Sequence, residues 1–372
     1  MSLFRLRGKL TSTQRLILGL VGLVLFILFW WVLAEMSSVK KPVGYVQSEM
    51  PSSIGADEAT LAKIDSLERV DSISFASATQ FEKIYPSIPP PHHVVQAFPS
   101  LIKDDKLVVN TFRSIWLNLQ GYFWALMIAL PVGFLIGLIP LFRGLFAGQV
   151  DAMRYLPLTA LVGLFTTWFG IDDGMKIAFL AFGIIVYILP VVVQRIDEVK
   201  DVYLKTVFTL GATDWQTIKS VYIPSVMSRM IDDIRVITAI SWTYIIIAEL
   251  LNRQGGIGSL IYIKSRQGQV AKVFAILLVI ILIGFIQDRL FVFLDKKLFP
   301  HKYYKRSISG IAESKMGIYT ILALVALGLI LMALIPALTS TMHLAMLVAV
   351  LAGVVMVIFG EFKLFQSNKQ NA

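Results

Sequence analysis

The sequence has no cysteine and few charged residues. Because the 372 residues include no cysteine, disulfides and thiolate metal sites are excluded. His92 and His93 are adjacent, so their side chains point in different directions on a regular element, and we expect no metal site there. Only 16% of the residues are charged and 56% are hydrophobic, whereas soluble domains have roughly 25% charged residues. This composition excludes an ordinary soluble domain and indicates an all-α polytopic membrane protein.

The sequence also lacks the short motifs of nucleotide-binding and hydrolytic proteins. It contains neither GxxxxGKS nor GxxxxGKT, and no GxGxxG follows a strand-like run. HExxH, GxSxG and paired carboxylates on an apolar helix are missing as well. We therefore expect that the chain is not an enzyme and holds no cofactor of its own.

Long apolar stretches are what the sequence has instead. A helix needs about 20 apolar residues to span the hydrocarbon of a bilayer. Six stretches suit one span each, and a seventh is long enough for two, which predicts about eight spans. The stretches are Leu16 to Ala34, Ser114 to Phe142, Tyr155 to Ile171, Ile177 to Gln194, Val236 to Asn252, Val273 to Leu294 and the double stretch Met316 to Gly360.

The distribution of charge predicts which side each loop faces. The formal net charge is +10, with basic clusters in residues 5–15 and 296–306. Both clusters fall on one side if the spans alternate, and the positive-inside rule makes that side the cytoplasm. An even number of crossings then leaves both termini cytoplasmic. Membrane orientation accounts for the positive charge, so no nucleic-acid partner is expected.

Four regions follow from this topology. Residues 1–36 form a basic tail and a first anchor, because the apolar core is longer than that of a signal peptide and no cleavage site follows promptly. Residues 37–97 form a polar extracytoplasmic segment. Residues 98–300 form the core, and residues 301–372 add a basic linker, two further spans and a tail.

The inward loop 196–230 has a specific local pattern. Residues 198–210 predict a helix with Val202, Leu204, Val207 and Phe208 as its apolar contacts, and Gly211 suits the left-handed conformation that ends a helix. Thr213 and Gln216 form a capping-box pair, and Asp214 places negative charge on the first turn of a second, short helix.

This elbow is closed on its far side by proline and carries a tryptophan near its tip. Pro224 either closes the short helix or opens the next one. Trp215 is predicted to be exposed, either as an anchor for a protein partner or as a side chain at the lipid interface.

Four stretches of the core resemble a known family: "VDAMRYLPLTALVGLFTTWFGIDDGMKIA", "TLGATDWQTI", "AELLNRQGGIGSLI" and "VFAILLVIILIGFIQDRL". Together they resemble the nitrate/sulfonate/taurine branch of type I ATP-binding-cassette (ABC) importer permeases, over residues 98–300. The EAA loop of that family docks on an ATPase, and its glycine falls on Gly211. Its E, A and A fall on Lys205, Thr206 and Val207, which reverses a charge beside the elbow. The candidate coupling residues are Lys205, Gly211, Ala212, Thr213, Asp214, Trp215, Gln216, Lys219 and Pro224.

The resemblance implies a type I ABC importer transmembrane domain that carries a small anionic solute such as nitrate, a sulfonate, taurine or bicarbonate. It implies two ABC ATPase subunits that hold ATP and Mg, a second permease copy or close paralogue, an extracytoplasmic solute-binding protein and membrane lipid. The implied location is the bacterial cytoplasmic (inner) membrane. The two spans of residues 316–360 exceed the usual family pattern. The alternatives are an ATPase-independent secondary transporter or channel, and a membrane scaffold with a permease fold.

Polar groups on apolar spans are the candidates for the solute pathway or its gate, because charge near the midplane is costly. Glu249 either holds the outer loop, which we favour, or contacts solute. Arg253, Lys264 and Arg266 make that loop basic, and we expect them to pair with acids of residues 35–105 rather than to attract an anion. The full set of pathway and gate candidates is Thr167, Ser241, Thr243, Tyr244, Glu249, Gly255, Gly256 and Gly258.

Overall fold

The computed structural model describes residues 10–42, 81–252, 254–303, 311–335 and 339–370, with isolated positions in 64–69. Most of the polar segment 37–97, much of both basic clusters, and Arg253 lie outside these residues. The elements are α1 Ser12–Met36, β1 Val39–Pro42, β2 Phe81–Ile84, α2 Pro91–Lys103, α3 Leu107–Leu138, α4 Pro140–Met153, α5 Leu158–Phe169, α6 Asp173–Asp197, α7 Asp201–Thr209, α8 Asp214–Thr217, α9 Ile223–Asn252, α10 Ile257–Arg266, α11 Val270–Leu298, α12 Ile311–Leu334 and α13 Thr339–Gln370.

The chain forms two compact units, residues 1–107 with 261–278 and residues 108–260 with 279–372. In the first unit, β1 pairs antiparallel with β2. Lys83 donates to Glu35 at 2.8 Å and so ties β2 to the end of α1. Trp30 of α1 stacks on Phe274 of α11, with ring centroids 5.9 Å apart.

Seven helices in the described residues are long and apolar enough to cross a membrane. They correspond to seven of the eight predicted spans. The eighth, predicted for residues 155–171, is not one long helix, because α5 has 12 residues. A helix of that length is about 18 Å long, whereas the hydrocarbon core is about 30 Å thick.

In the place of the predicted eighth span, α4 and α5 pack in series and antiparallel to α6. Along α4, Arg143 pairs with Asp197 and Val150 clusters with Leu189. Along α5, Leu158 contacts the Gly183 position and Phe165 contacts Phe179 at 5.5 Å between ring centroids. Successive residues of α4 and α5 therefore contact α6 at residues 197, 189, 183 and 179, which shows that α4 and α5 run antiparallel to α6. The interruption at residues 154–157 lies at the start of the predicted span, and most of α4, which precedes it, was not predicted as part of a span.

Helices α3, α6 and α9 form the main core of the second unit. Its buried side chains include Ala129, Ile188 and Met230, one from each helix. Glycines let α3 approach α6 closely: a Cβ built at Gly133 would lie 2.6 Å from Val192 Cγ1. A residue larger than glycine would clash at this distance. The distance between α3 and α6 therefore depends on this glycine as well as on the burial of apolar side chains.

The last two helices are a tightly packed hairpin attached to this core. A Cβ at Gly353 would lie 2.2 Å from Ile321 Cγ1, so α12 and α13 are in close contact. Ile318 of α12 is buried in a cluster with Ile231 and Leu298. Lys297, at the end of α11, pairs with Glu361 of α13. Apolar and ionic contacts therefore both hold the hairpin to the core.

Candidate coupling elbow and buried Glu249 cluster

The elbow, residues 201–224, begins with a helix that ends at Gly211. Helix α7 is Asp201–Thr209, shorter than predicted, because Glu198 caps the end of α6 instead of starting a new helix. Gly211 has φ +77°, the left-handed conformation predicted for it. Its N–H donates to Phe208 O at 3.0 Å and the Ala212 N–H donates to Val207 O at 3.1 Å, which satisfies carbonyls at the helix end.

The second half of the elbow has the predicted capping box. Thr213 N–H donates to Gln216 Oε1 at 2.8 Å, and Gln216 N–H donates to Thr213 Oγ1 at 3.3 Å. Asp214 lies in the first turn of α8, where the helix dipole favours a negative charge. A π-helical turn over Ile218–Tyr222 joins α8 to α9, and Pro224 lies in the first turn of α9. Of the two predicted roles, Pro224 therefore opens the next helix.

The tip of the elbow is exposed, while its base packs on the core. Trp215 is 68% exposed, as predicted. Leu204 and Val207 pack against the core cluster of α3, α6 and α9. Val202 and Phe208 were predicted to make apolar contacts as well, but both are exposed. Val202 lies on the side of the helix opposite Leu204 and Val207, and Phe208 lies at the edge of the packed face. The candidate residues Lys205, Thr213, Asp214, Gln216 and Lys219 are also exposed.

Ion pairs that the sequence did not reveal fix the base of the elbow. Arg195 of α6 donates to Asp233 of α9 at 2.7 Å and to Glu198 at 2.6 Å. Arg229 of α9 also donates to Glu198, at 2.8 Å. The hydrogen bond from Arg195 lowers the pKa of Glu198 below its ordinary value. These bonds join the helices that enter and leave the elbow.

The buried cluster around Glu249 holds the loop between α9 and α10. Glu249 is fully buried and accepts hydrogen bonds from Ser114 Oγ at 2.6 Å and from the Gly258 N–H at 2.8 Å. Ser259 Oγ donates to the Glu249 carbonyl oxygen at 2.9 Å. Asn110 Oδ1 accepts from the Gly256 N–H at 2.9 Å. This geometry fits the favoured role for Glu249, in which it holds the loop.

Two glycines make room for this cluster. Gly255 and Gly256 have φ of +99° and +98°. A Cβ at Gly256 would lie 2.1 Å from Glu249 Oε1, and a Cβ at Gly258 would lie 2.5 Å from Ile246 O. The loop therefore needs glycine at residues 255 and 256 for conformation, and at 256 and 258 for space.

The charged residues beside Glu249 were not predicted from the sequence. Lys176 of α6 is fully buried, and its ammonium donates to Asp173 at 2.9 Å. Arg113 of α3 donates to the same carboxylate at 2.9 Å. Burial without a charged partner is costly, so Asp173 stabilises both cations in place. Ser114 and Glu249 are 135 positions apart, and no local pattern connects such residues.

The other pathway candidates do not gather in one site. Ser241 is buried and donates to Asn118 Oδ1 at 3.0 Å. Tyr244 is buried and lies over Tyr187, with ring centroids 6.5 Å apart. Thr243 and Thr167 are exposed. Among the described residues, no three histidine, aspartate or glutamate side chains are grouped so that they could hold a metal ion.

In the first unit, Asp105 pairs with two lysines. Lys264 and Lys272 lie 2.6 Å and 2.8 Å from its carboxylate, so the pairing expected for Lys264 is confirmed. Burial acts to raise the pKa of Asp105, but hydrogen bonds from both lysines outweigh it and hold this pKa below its ordinary value. The ion pair expected for Arg266 is not present among the described residues, where its guanidinium lies over the Tyr262 ring, 5.8 Å from the centroid.

Comparisons with known proteins agree with this architecture. The taurine transport system permease protein TauC of Escherichia coli is 25% identical over 57% of this chain and 79% of its own length. A protein named as the aliphatic sulfonates transport permease SsuC of Bacillus subtilis is 27% identical over 57% of this chain and 76% of its own. A protein named as an ABC transporter permease in Methanocaldococcus jannaschii is 28% identical over 55% and 78%.

The family match covers more than half of the chain and includes both the elbow and the Glu249 cluster. It runs over residues 93–300 and has the description "Binding-protein-dependent transport system inner membrane component". Seven long apolar helices agree with a multi-pass protein of the inner membrane. The chain belongs to the family of binding-protein-dependent inner-membrane transport components, as a type I ABC importer permease.

Proposed function

We propose that this chain is the permease subunit of an ATP-driven importer and that the elbow is where a separate ATPase docks. The observation that carries this proposal is the elbow geometry. A left-handed glycine, a closed capping box and a Trp that is 68% exposed project from a base fixed by ion pairs. An exposed aromatic side chain on a rigid support is the usual form of an interface hot spot.

The elbow couples to the helices through the Arg195, Glu198, Arg229 and Asp233 contacts. Movement of an ATPase against Trp215 displaces α7 and α8 together, since the turn between them is fixed by hydrogen bonds. The displacement passes to α6 and α9 through their ion pairs. ATP and Mg act on the partner. This chain supplies two alternative helix packings, which ATP binding biases between inward and outward access.

The proposed solute is a small anion of the sulfonate type. Similarity to the taurine and aliphatic sulfonate permeases supports this class. An extracytoplasmic binding protein delivers the solute, and two permease copies with two ATPase subunits complete the importer. With eight crossings, the elbow and both termini face the cytoplasm, as the positive-inside rule favours.

The test compares matched variants at the elbow and at the turn between α5 and α6. Gly211 and Gly170 have the same φ of +77°, and a Cβ added at either residue would meet no atom within 4 Å. Trp215 and Trp168 are 68% and 65% exposed. The pairs Gly211→Val with Gly170→Val and Trp215→Ala with Trp168→Ala therefore impose similar local costs at two places.

We expect the elbow variants to insert normally but to lose copurification with an ABC ATPase partner expressed together with the chain. Truncation of a hot-spot Trp costs about 2 kcal/mol or more, or roughly thirtyfold in affinity. The Gly170 and Trp168 variants should retain the ATPase. Equal ATPase binding by both members of each pair would refute the docking assignment. Solute uptake without any ATPase would favour a secondary transporter instead.

A further inference from the structure

The interruption between α4 and α5 lies within the depth of the hydrocarbon. Helix α6 has 25 residues and is therefore about 37 Å long. Asp151 and Arg154 line a groove with Pro190 of α6, and a second ion pair, Arg143 with Asp197, lines the same groove at the end of α6. Pro190 is five residues past the centre of α6, or about 7 Å along its axis. With the centre of α6 placed at the midplane, this charged pair lies inside the hydrocarbon, which extends about 15 Å on either side.

The pair is exposed at that depth. The side chains of Asp151 and Arg154 are 64% and 45% exposed, and Tyr155 is 82% exposed. A charged side chain at the centre of a membrane helix costs roughly 2.5 to 3.5 kcal/mol on insertion scales. Exposure to lipid would impose this cost on two residues of one turn. A water-filled cavity removes it.

The irregular backbone at the interruption also requires surroundings other than lipid. Leu156 N–H donates to Met153 O at 3.1 Å and Ala160 N–H donates to Pro157 O at 2.9 Å, so the chain turns here without a continuous helical ladder. Irregular backbone at membrane depth is tolerated where it is buried in protein or lines an aqueous cavity. Tyr155 and Arg154 are exposed and so are not buried within this chain, which leaves an aqueous cavity or the second permease copy proposed above as their surroundings, and the labelling below distinguishes the two.

The groove has the size and the donors for a small anion. Its volume is about 230 Å³, the room of about eight water molecules at roughly 30 Å³ each. Within the described residues, Arg154 donates through Nε to Asp151 O at 3.1 Å and through Nη2 to the Asp151 carboxylate. A guanidinium has five N–H donors in a planar fork, so three remain for a ligand.

We propose that Arg154 binds the transported sulfonate, on an aqueous path along the groove between α4 and α6. Asp151 accepts hydrogen bonds from the Arg154 guanidinium while the path is empty. When solute arrives, the sulfonate oxygens accept hydrogen bonds from the guanidinium instead. This assignment rests on the proposed import function and names a binding residue for it. The interrupted helix places the cation inside the membrane without contact with lipid.

Cysteine labelling tests the proposal, because the chain has no cysteine of its own. Tyr155→Cys in native membrane vesicles is treated with a sulfonate-bearing methanethiosulfonate reagent (MTSES) and with its trimethylammonium counterpart (MTSET). Leu282→Cys is the control, since Leu282 is an exposed residue of the apolar helix α11. The cysteine at 155 should react with MTSES at least tenfold faster than the one at 282, because a thiol facing lipid reacts slowly.

The charge preference identifies Arg154. A cation in a confined path raises the local concentration of anions by about tenfold or more. The rate ratio of MTSES to MTSET at Tyr155→Cys should therefore fall about tenfold when Arg154→Gln is added, and return with Arg154→Lys. Arg235→Gln, which breaks the Arg235–Asp288 pair elsewhere, should leave the ratio unchanged.

Two results would overturn the inference. One is equal MTSES rates at the two cysteines, which would place residue 155 against lipid or protein. The other is a charge preference that Arg154→Gln does not alter. Neither measurement uses an ATPase, so failure of the proposed import function would appear separately, as an intact labelling pattern in a chain that binds no ATPase.

Discussion

Gly256→Ala tests the packing of the Glu249 cluster. The new methyl group would lie 2.1 Å from Glu249 Oε1, and the backbone at this residue has φ +98°. A side chain in the left-handed region costs roughly 1–2 kcal/mol. Glu249 must also move away from Ser114 and the Gly258 N–H, and each lost hydrogen bond costs about 0.5–1.5 kcal/mol. We expect a loss of roughly 2–5 kcal/mol in the free energy of unfolding.

The assay is unfolding by SDS in detergent micelles, with tryptophan fluorescence as the readout. Gly268→Ala is the matched control, because Gly268 has φ +68° and no atom within 4 Å of its Cβ position. This control should lose only the roughly 1–2 kcal/mol of backbone strain. Glu249→Ala removes the clash. In that background, Gly256→Ala should lower the free energy of unfolding by no more than Gly268→Ala does. The same cost for Gly256→Ala in both backgrounds would refute the argument.

Two further predictions concern the two units separately. Asp105→Asn should lower the thermal midpoint of unfolding at neutral pH. In acid, the midpoints of the variant and the wild type should be close to each other. The folded pKa of Asp105 is lowered, so its contribution is present above the ordinary value of 3.8 and is lost as the pH falls through the folded pKa; parallel midpoint curves would contradict this. Gly133→Ala should lose about 1–3 kcal/mol by overpacking against Val192 and regain part of it with Val192→Ala, whereas Gly144→Ala, which meets no atom within 4 Å, should be neutral or stabilising.

Features built from neighbouring residues could be predicted from the sequence. The capping box of Thr213 and Gln216 spans three positions, and the conformation of Gly211 follows from its place after a helix. Seven of the spans could be predicted for the same reason, since apolar length is a local property. Family resemblance was equally accessible, because it was carried by contiguous motifs.

Features that depend on helix packing could not be predicted. The partners of Glu249 come from α3 and the first turn of α10, and the burial of Lys176 follows from how α6 packs. Pro157 precedes α5 and was a local signal for the interruption between α4 and α5. The part played by α4 could not be predicted, because its charged residues Arg143 and Asp151 exclude it from an apolar stretch.

Cross-linking at the elbow tests the central claim most directly. Asp214→Cys, in this otherwise cysteine-free chain, is coupled in the membrane to a thiol-to-amine cross-linker, with Thr167→Cys as an exposed control. We predict a covalent product between the cysteine at 214 and the ATPase subunit, labelled from the cytoplasmic face, and no such product from position 167. A cysteine at 214 that is reached only from the opposite face, or that joins no ATPase, would contradict the account.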